Sequence, residues 1–429
     1  MKVYKHASQI IQEITEQNKG FKTGYYDYYE KNKHTFGSQM NRIYSVSINT
    51  YKRYRDIKGA IEQVFSNENV RDYYLLVVLI HEGAIMNEKI KIGGKLSKMV
   101  KTHKEELQAI LGITDQESKE DEVIYIRQNK HIEQELSLKE VKKQLNEEDF
   151  KVKKVGKLDL LRVHQTKSKT VVTHPFFKEH KFVIQDISSC MPVMYLNSFL
   201  QGKYREGKIK DFHGIDATSS PGNKSLQLSE IIGKLYSLEM DQKRYETLKR
   251  RVEQCQAKNI ECLNYDFLNT NPESYEDVNV IICDPSCSGS GMKLHAQQNQ
   301  ECTSGLATPD EMKTRAQNLS KFQFKIVSHA LTFPSVEYVV YSTCSLYEEE
   351  NENVVRDILK KHKRTWKTVD LEKIDIGLSS RYLKGFHFNK NKKQGHSLRL
   401  CSTCGPKNYL NGFFLAIFER KSIAENEQE

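Results

Sequence analysis

The sequence predicts an α/β protein in three parts, with a short acidic tail at 423–429. These are a helical N-terminal domain over 1–115, a small α/β module over 116–180, and a mostly parallel sheet with helices on both faces over 181–422. Three observations carry that expectation. Apolar residues recur at helical spacing through the first 110 residues. From residue 210 onward, short apolar strands alternate with helical stretches, as in a parallel sheet buried on both faces. Two of those strands end in cysteine-bearing loops, at the sheet edge where such folds do chemistry.

In the N-terminal part the periodic sets are Ile10, Ile11, Ile14, then Ile57, Ile61, Val64, Phe65, then Leu75, Leu76, Leu79, Ile80. Tyr25, Tyr26, Tyr28 and Tyr29 stand beside Lys31 and Lys33; such a cluster either packs a helix or stacks on bases. A basic stretch from Lys89 to Lys104 is either a solvated helix face or a phosphate contact. In the module, 123–127 reads as a strand and 138–145 as a helix opened by Ser137, with shorter β-like runs at 158–161 and 170–172. The third part then reads strand 213–217, helix 225–232, strand 235–238, helix 242–254, strand 278–283, helix 318–331, strand 338–341 and a late strand 412–418.

Composition bounds the function. Lys and Arg number 66 against 56 acids, a net charge of +10 that attracts polyanions, with RNA or DNA the usual partner. No apolar run approaches a bilayer span, since the best, Tyr74–Ile80, has too few residues, so no membrane partner is expected. The first six residues lack the apolar core of a secretion signal. Nine cysteines at irregular spacing do not form a disulfide framework, which indicates a reducing compartment with free thiols.

The chemistry-bearing motifs lie at strand ends. After the first strand of the third part comes Asp216-Ala217-Thr218-Ser219-Ser220-Pro221-Gly222-Asn223-Lys224, a small-residue turn into a helix. It has no G-x-G-x-x-G, which disfavours a dinucleotide enzyme, and the next strand ends in Glu239, an acid suited to ribose hydroxyls. Tyr265-Asp266-Phe267 follows the third strand. The fourth runs into Asp284-Pro285-Ser286-Cys287-Ser288-Gly289-Ser290-Gly291-Met292. Amino-group methyltransferases place an aromatic at the Cys287 slot. A thiol there suits methylation of a pyrimidine carbon, because thiolate attack at carbon 6 converts the ring to an enamine nucleophilic at carbon 5. Val339–Cys344 is a second apolar strand ending in a thiol, before an acidic run, Glu348–Asn353, that opens a helix. Two thiols on two sheet-edge loops can share one pocket.

With these residues in view, the sequence resembles the Sun/RsmB family of RNA cytosine-C5 methyltransferases from Gln185-Asp186-Ile187-Ser188-Ser189-Cys190 through Gly412–Arg420. Its D-P-S-C-S-G-S-G-M and P-G-N-K motifs resemble the eukaryotic large-subunit rRNA subfamily. The resemblance implies a Rossmann-like, S-adenosylmethionine-dependent methyltransferase domain and an RNA-contacting module. Thr218, Ser219, Ser220, Pro221, Gly222, Asn223 and Lys224 would hold the methionine end of the cofactor. Glu239 would bind its ribose, Arg244 would belong to the cofactor site, and Asp266 would face its adenine. Asp284 would lie between cofactor and cytosine, Cys344 would attack carbon 6, and Cys287 would assist release. Spacing does not order the two thiols; the analogy does. The same resemblance implies a monomer acting on large-subunit rRNA or a pre-ribosomal particle, in the nucleus and nucleolus. Rival readings are a non-catalytic assembly factor keeping the fold, or a methyltransferase acting on uridine or protein.

Two departures and one decoy complete the reading. Thr218-Ser219-Ser220 stands where the family usually has Cys-Ala-Ala, and Arg127-Gln128-Asn129-Lys130 resembles a family R-x-N-T element. Cys401-x-x-Cys404 with His387 and His396 lacks the second well-spaced pair that a structural zinc site needs, so no metal is expected.

Overall fold

The computed structural model of the chain describes residues 2–17, 19, 21–66, 68, 70–90, 92–113, 122–133, 137–165, 171–292, 309–378, 386–389, 396–400 and 411–422. They form two compact units, one within Met1–Glu120 and Leu294–Glu311 and the other within Asp121–Lys293 and Met312–Glu429.

The first unit is helical, with helices at Lys2–Glu16, Phe21–Phe36, Met40–Lys52, Tyr54–Val64, Tyr73–Ile80, Lys95–Thr102 and Lys104–Ile110. The periodic apolar residues become its core: Ile10, Ile11, Ile57, Leu76, Leu79 and Ile80 are fully covered. Of the tyrosine cluster, Tyr25 and Tyr28 turn inward and Tyr26 is exposed; the Tyr25 ring meets Tyr44 edge-on at 4.7 Å. Packing therefore accounts for most of the cluster. Lys95, Lys98 and Lys101 are exposed, and Lys95 pairs with Glu68 at 3.0 Å.

The second unit opens with a small antiparallel sheet of order β2-β3-β1-β4, from β1 (Glu122–Gln128), β2 (Lys151–Lys154), β3 (Leu160–Gln165) and β4 (Phe182–Ile184). Helix Leu138–Glu147 covers it through Val141 and Leu145; Ser137 and Glu140 cap it reciprocally. The run expected as β over 170–172 is instead a 3-10 turn, Val171–Thr173. The His174 N–H closes it on the Val171 carbonyl, and Pro175 starts a helix at once, leaving no length to pair. Thr170 lies outside the described residues.

Arg127 and Asn129 of β1 and its exit face inward, onto the large sheet's domain. The Arg127 guanidinium pairs with Glu230 and donates to Gln185 at 2.7 Å, while Asn129 donates to the carbonyls of His180 and Cys255 at 3.0 Å. The R-x-N element thus joins the small sheet to the helix-covered sheet.

That sheet, nine-stranded among the described residues, contains β5 (His213–Asp216), β6 (Lys234–Leu238), β7 (Ile260–Leu263), β8 (Val278–Cys283) and β9 (Tyr338–Thr343), all parallel in the order β7-β6-β5-β8-β9. An antiparallel flank follows: β13 (Phe413–Arg420) pairs with β9, and β10 (Trp366–Thr368) and β12 (Ser397–Leu400) with β13; β11 (Phe386–Asn389) pairs with β12. Successive side chains on β8 and β9 point to opposite faces, both of them covered. Val280, Ile282 and Val340 join one core with helix Ile187–Lys203; Ile281, Cys283, Val339 and Tyr341 join another with helices Pro309–Ala330 and Glu352–His362. This is why those strands read as continuous apolar runs. Strand order reverses between β5 and β8, so the crevice at their carboxyl ends is the natural ligand site. No helix among the described residues is long and apolar enough to cross a membrane.

Candidate active site

The turn after β5 is shaped by hydrogen bonds that point away from the crevice as well as into it. The Ser219 N–H donates to the Leu238 carbonyl at 3.0 Å, tying the turn to β6, and its hydroxyl donates to the Asp216 carbonyl at 2.8 Å. Gly222 closes the turn with φ +101°, a left-handed conformation that glycine adopts without Cβ strain. It caps helix Asn223–Ser229, which therefore begins two residues before the expected Ser225. Asp216 is buried under this turn. Its carboxyl accepts from the Ser225 hydroxyl at 2.7 Å and the Thr218 N–H at 3.2 Å, yet burial pushes its pKa up to about 6.

A cleft opens over the ends of β5, β6 and β8, the crevice where doubly wound sheets bind their ligands. Thr218, Glu239, Arg244, Asp266 and Asp284 line it among the expected residues, with Leu238, Phe267 and Ile326 as apolar wall. Ser219, Ser220, Pro221, Gly222, Asn223 and Lys224 are not in that lining. Ser219 is turned inward; the Ser220 hydroxyl donates to the Arg244 carbonyl at 3.0 Å, and Arg244 returns a bond to the Ser220 carbonyl. Glu239 is buried; one oxygen accepts the Asp241 N–H at 3.0 Å and the other lies 3.3 Å from Arg244. Asp266 accepts the Leu268 N–H at 3.0 Å, capping a 3-10 turn.

The two thiols meet beside this cleft. Cys287 Sγ lies 2.9 Å from Cys344 Sγ, both cysteines being free. The loops carrying them are stitched at glycine. The Gly291 N–H donates to the Cys344 carbonyl at 2.8 Å, and the Gly412 N–H donates to the Gly291 carbonyl at 2.6 Å. A Cβ at Gly291 would come within 2.5 Å of the Gly412 oxygen and 2.9 Å of the Cys344 oxygen, so that position needs glycine for close approach.

Asp284 connects cleft and thiols. Its Oδ2 accepts from Lys224 Nζ at 2.6 Å, its Oδ1 from the Ser342 hydroxyl at 2.6 Å, and its N–H donates to the Thr218 hydroxyl at 3.0 Å. Burial disfavours the charge on Lys224, but the Asp284 carboxylate outweighs it and the ammonium's pKa lies above the ordinary lysine value; a Cys344 thiolate would add to that. The Cys287 thiol is pushed well up, first by its hydrogen bond to Cys344, then by burial, then by the charges of Cys344, Glu350 and Asp284. Each of these influences favours the protonated Cys287 thiol.

Ser342 and Glu350 escaped the sequence reading. Glu350 was expected as one more acid of a helix first turn, whereas it sits fully buried in a 3-10 turn, Glu348–Glu350, with the helix beginning at Glu352. Among the described residues no three His, Cys, Asp or Glu side chains cluster to hold a metal ion; Cys401 and Cys404 lie outside them.

Comparison with known proteins gives consistent likenesses. The family model described as "16S rRNA methyltransferase RsmB/F" matches residues 208–419. The chain is 34% identical over 256 residues to a 28S rRNA (cytosine-C(5))-methyltransferase of Mus musculus, covering 58% of this chain and 49% of that one. It is 39% identical over 234 residues to the 25S rRNA (cytosine-C(5))-methyltransferase NSUN5 of Arabidopsis thaliana, covering 49% and 36%. The chain thus spans about half or less of the length of these relatives. In fold it is similar to the crystal structure of PH0851, with a TM-score of 0.62 at 19% identity over 97% of this chain and 98% of that one.

Proposed function

Residues 208–419 belong to the RsmB/F family of RNA methyltransferases, and on that footing we propose that this protein forms 5-methylcytosine in large-subunit rRNA. The observation that carries the proposal is the thiol pair, 2.9 Å apart at the ends of β8 and β9, beside a carboxylate held by Lys224. A binding module has no use for that arrangement. The large-subunit target follows the rRNA relatives, and with it a nucleolar site of action.

The cleft suits S-adenosylmethionine. It offers a buried acid, Glu239, for a ribose diol, a second acid, Asp266, for an adenine amino group, and apolar wall residues Leu238, Phe267 and Ile326. Thr218 and Arg244 line the same cleft. When bound, the cofactor supplies the methyl group that carbon 5 receives.

The chain's own residues do the rest. Cys344, as thiolate, adds to cytosine carbon 6, and the ring's electrons move to make carbon 5 nucleophilic. Asp284, fixed by Lys224 and Ser342, holds the cytosine edge; its carboxylate is oriented before substrate arrives, so no reorganisation is needed at reaction. Cys287, which keeps its proton, does not compete for carbon 6 and stays available to assist release once carbon 5 has lost its proton. The target base must leave its stack to reach this pocket.

Tritium from methyl-labelled S-adenosylmethionine should enter large-subunit rRNA that lacks the modification, as 5-methylcytosine, and should not do so with Cys344→Ala. Absence of transfer by the wild type on both naked rRNA and pre-ribosomal particles would favour an assembly factor.

A further inference from the structure

The two thiols share a feature that neither loop shows by itself: the residue immediately after each is bonded to the same buried carboxylate. Glu350 Oε1 accepts the Ser288 N–H at 2.9 Å, and Glu350 Oε2 accepts the Ser345 hydroxyl at 2.5 Å. Ser288 follows Cys287 and Ser345 follows Cys344, and their hydroxyls are 3.0 Å apart. Gln323, from helix Pro309–Ala330, donates to Oε1 at 2.9 Å and also to the Ser286 carbonyl, just before Cys287, at 3.1 Å. Tyr341 donates to the Glu350 carbonyl, anchoring the acid's own backbone.

A carboxylate with no water around it is retained only where its partners repay desolvation. Here those partners are Gln323 and the two loops that carry sulfur. We propose that Glu350 is a positioning residue which, acting through Ser288 and Ser345, fixes the Cys287–Cys344 pair and decides which of the two thiols attacks. The inference rests on Cys344 being the nucleophile. Geometrically, neither thiol loop can shift at the residue after its cysteine without straining a bond to one of the two carboxylate oxygens. Electrostatically, the negative charge of Glu350 faces Cys287 together with that of Asp284 and helps it hold its proton; the neighbouring cation, Lys224, is bonded to Asp284. Glu350 need not touch RNA to act in this way.

The test needs neither RNA nor cofactor, which separates it from the methyl-transfer reading. Wild-type protein and Glu350→Gln are treated with limiting iodoacetamide between pH 7 and pH 9, and labelling of each cysteine is read by peptide mass spectrometry. In the wild type Cys344 is expected to label ahead of Cys287. In Glu350→Gln, which keeps the shape and removes the charge, labelling of Cys287 relative to Cys344 should rise above the wild-type ratio, because a charge that disfavours the Cys287 thiolate is gone. Methyl transfer should fall about 100-fold with unchanged KM for S-adenosylmethionine, the scale of a misplaced reacting group. If Glu350→Gln does not fold, Ser345→Ala keeps the carboxylate but releases the Cys344 loop, and the labelling ratio should depart from that of the wild type. A ratio equal to wild type in the folded variant overturns the proposal. A shifted ratio in a protein whose wild type transfers no methyl group would leave the positioning intact and remove the methyltransferase reading.

Discussion

Lys224 Nζ stands 2.6 Å from Asp284 Oδ2, joining the helix that follows β5 to the loop that follows β8. Those strands are neighbours where the sheet order reverses, so the ion pair spans the crevice and sets the Asp284 carboxylate between cleft and thiols. Lys224→Met leaves that carboxylate half-buried with Ser342 as its remaining side-chain donor. The expected cost is about 1–3 kcal/mol of stability, read as a lower urea midpoint, together with loss of methyl transfer.

The closeness of Gly291 to Gly412 and Cys344 makes a sharper case. In Gly291→Ala the added methyl meets backbone oxygens, which cannot swing aside as a side chain can. The Cys344 loop must shift. Because a displacement of about 1 Å in a reacting group costs about 100-fold in rate, transfer should collapse by that order while circular dichroism stays native.

Asp216 predicts a pH dependence with a defined sign. Its folded pKa of about 6 lies above the ordinary 3.8, so the folded state keeps its proton longer than the unfolded chain. Its contribution is greatest at low pH, declines as pH rises from 3.8 to about 6, and is flat above. The decline amounts to about 3 kcal/mol for a two-unit shift. Asp216→Asn should abolish it, so the variant should gain on the wild type in denaturation midpoint at pH 8 relative to pH 4; parallel midpoints would refute the assignment.

Legibility in the sequence followed burial on both faces. Val278–Cys283 and Tyr338–Tyr341 were readable because helices cover each side and the strands are apolar throughout. β2 was missed because, of its four residues, Val152 alone is buried and three lysines surround it. β10 was missed because three residues carry no period. The thiol loops announced themselves through rare residues at strand ends. Glu350 did not, because in sequence it is the third of three glutamates; its burial is created by Gln323, 27 positions earlier, and by serines from two other loops. The Thr218–Lys224 turn was legible as a turn, but that Ser219 bonds inward to Asp216 while Lys224 reaches Asp284 depends on side-chain direction, which spacing does not carry.

The central claim is that Cys344 adds to cytosine and Cys287 is needed to let it go. Cys287→Ala incubated with S-adenosylmethionine and unmodified large-subunit rRNA should yield a protein–RNA species that survives a denaturing gel, with the cross-link mapping to Cys344. The additional Cys344→Ala substitution should abolish it. A variant Cys287→Ala that methylates and releases RNA like the wild type, or a cross-link that persists without Cys344, would contradict the account.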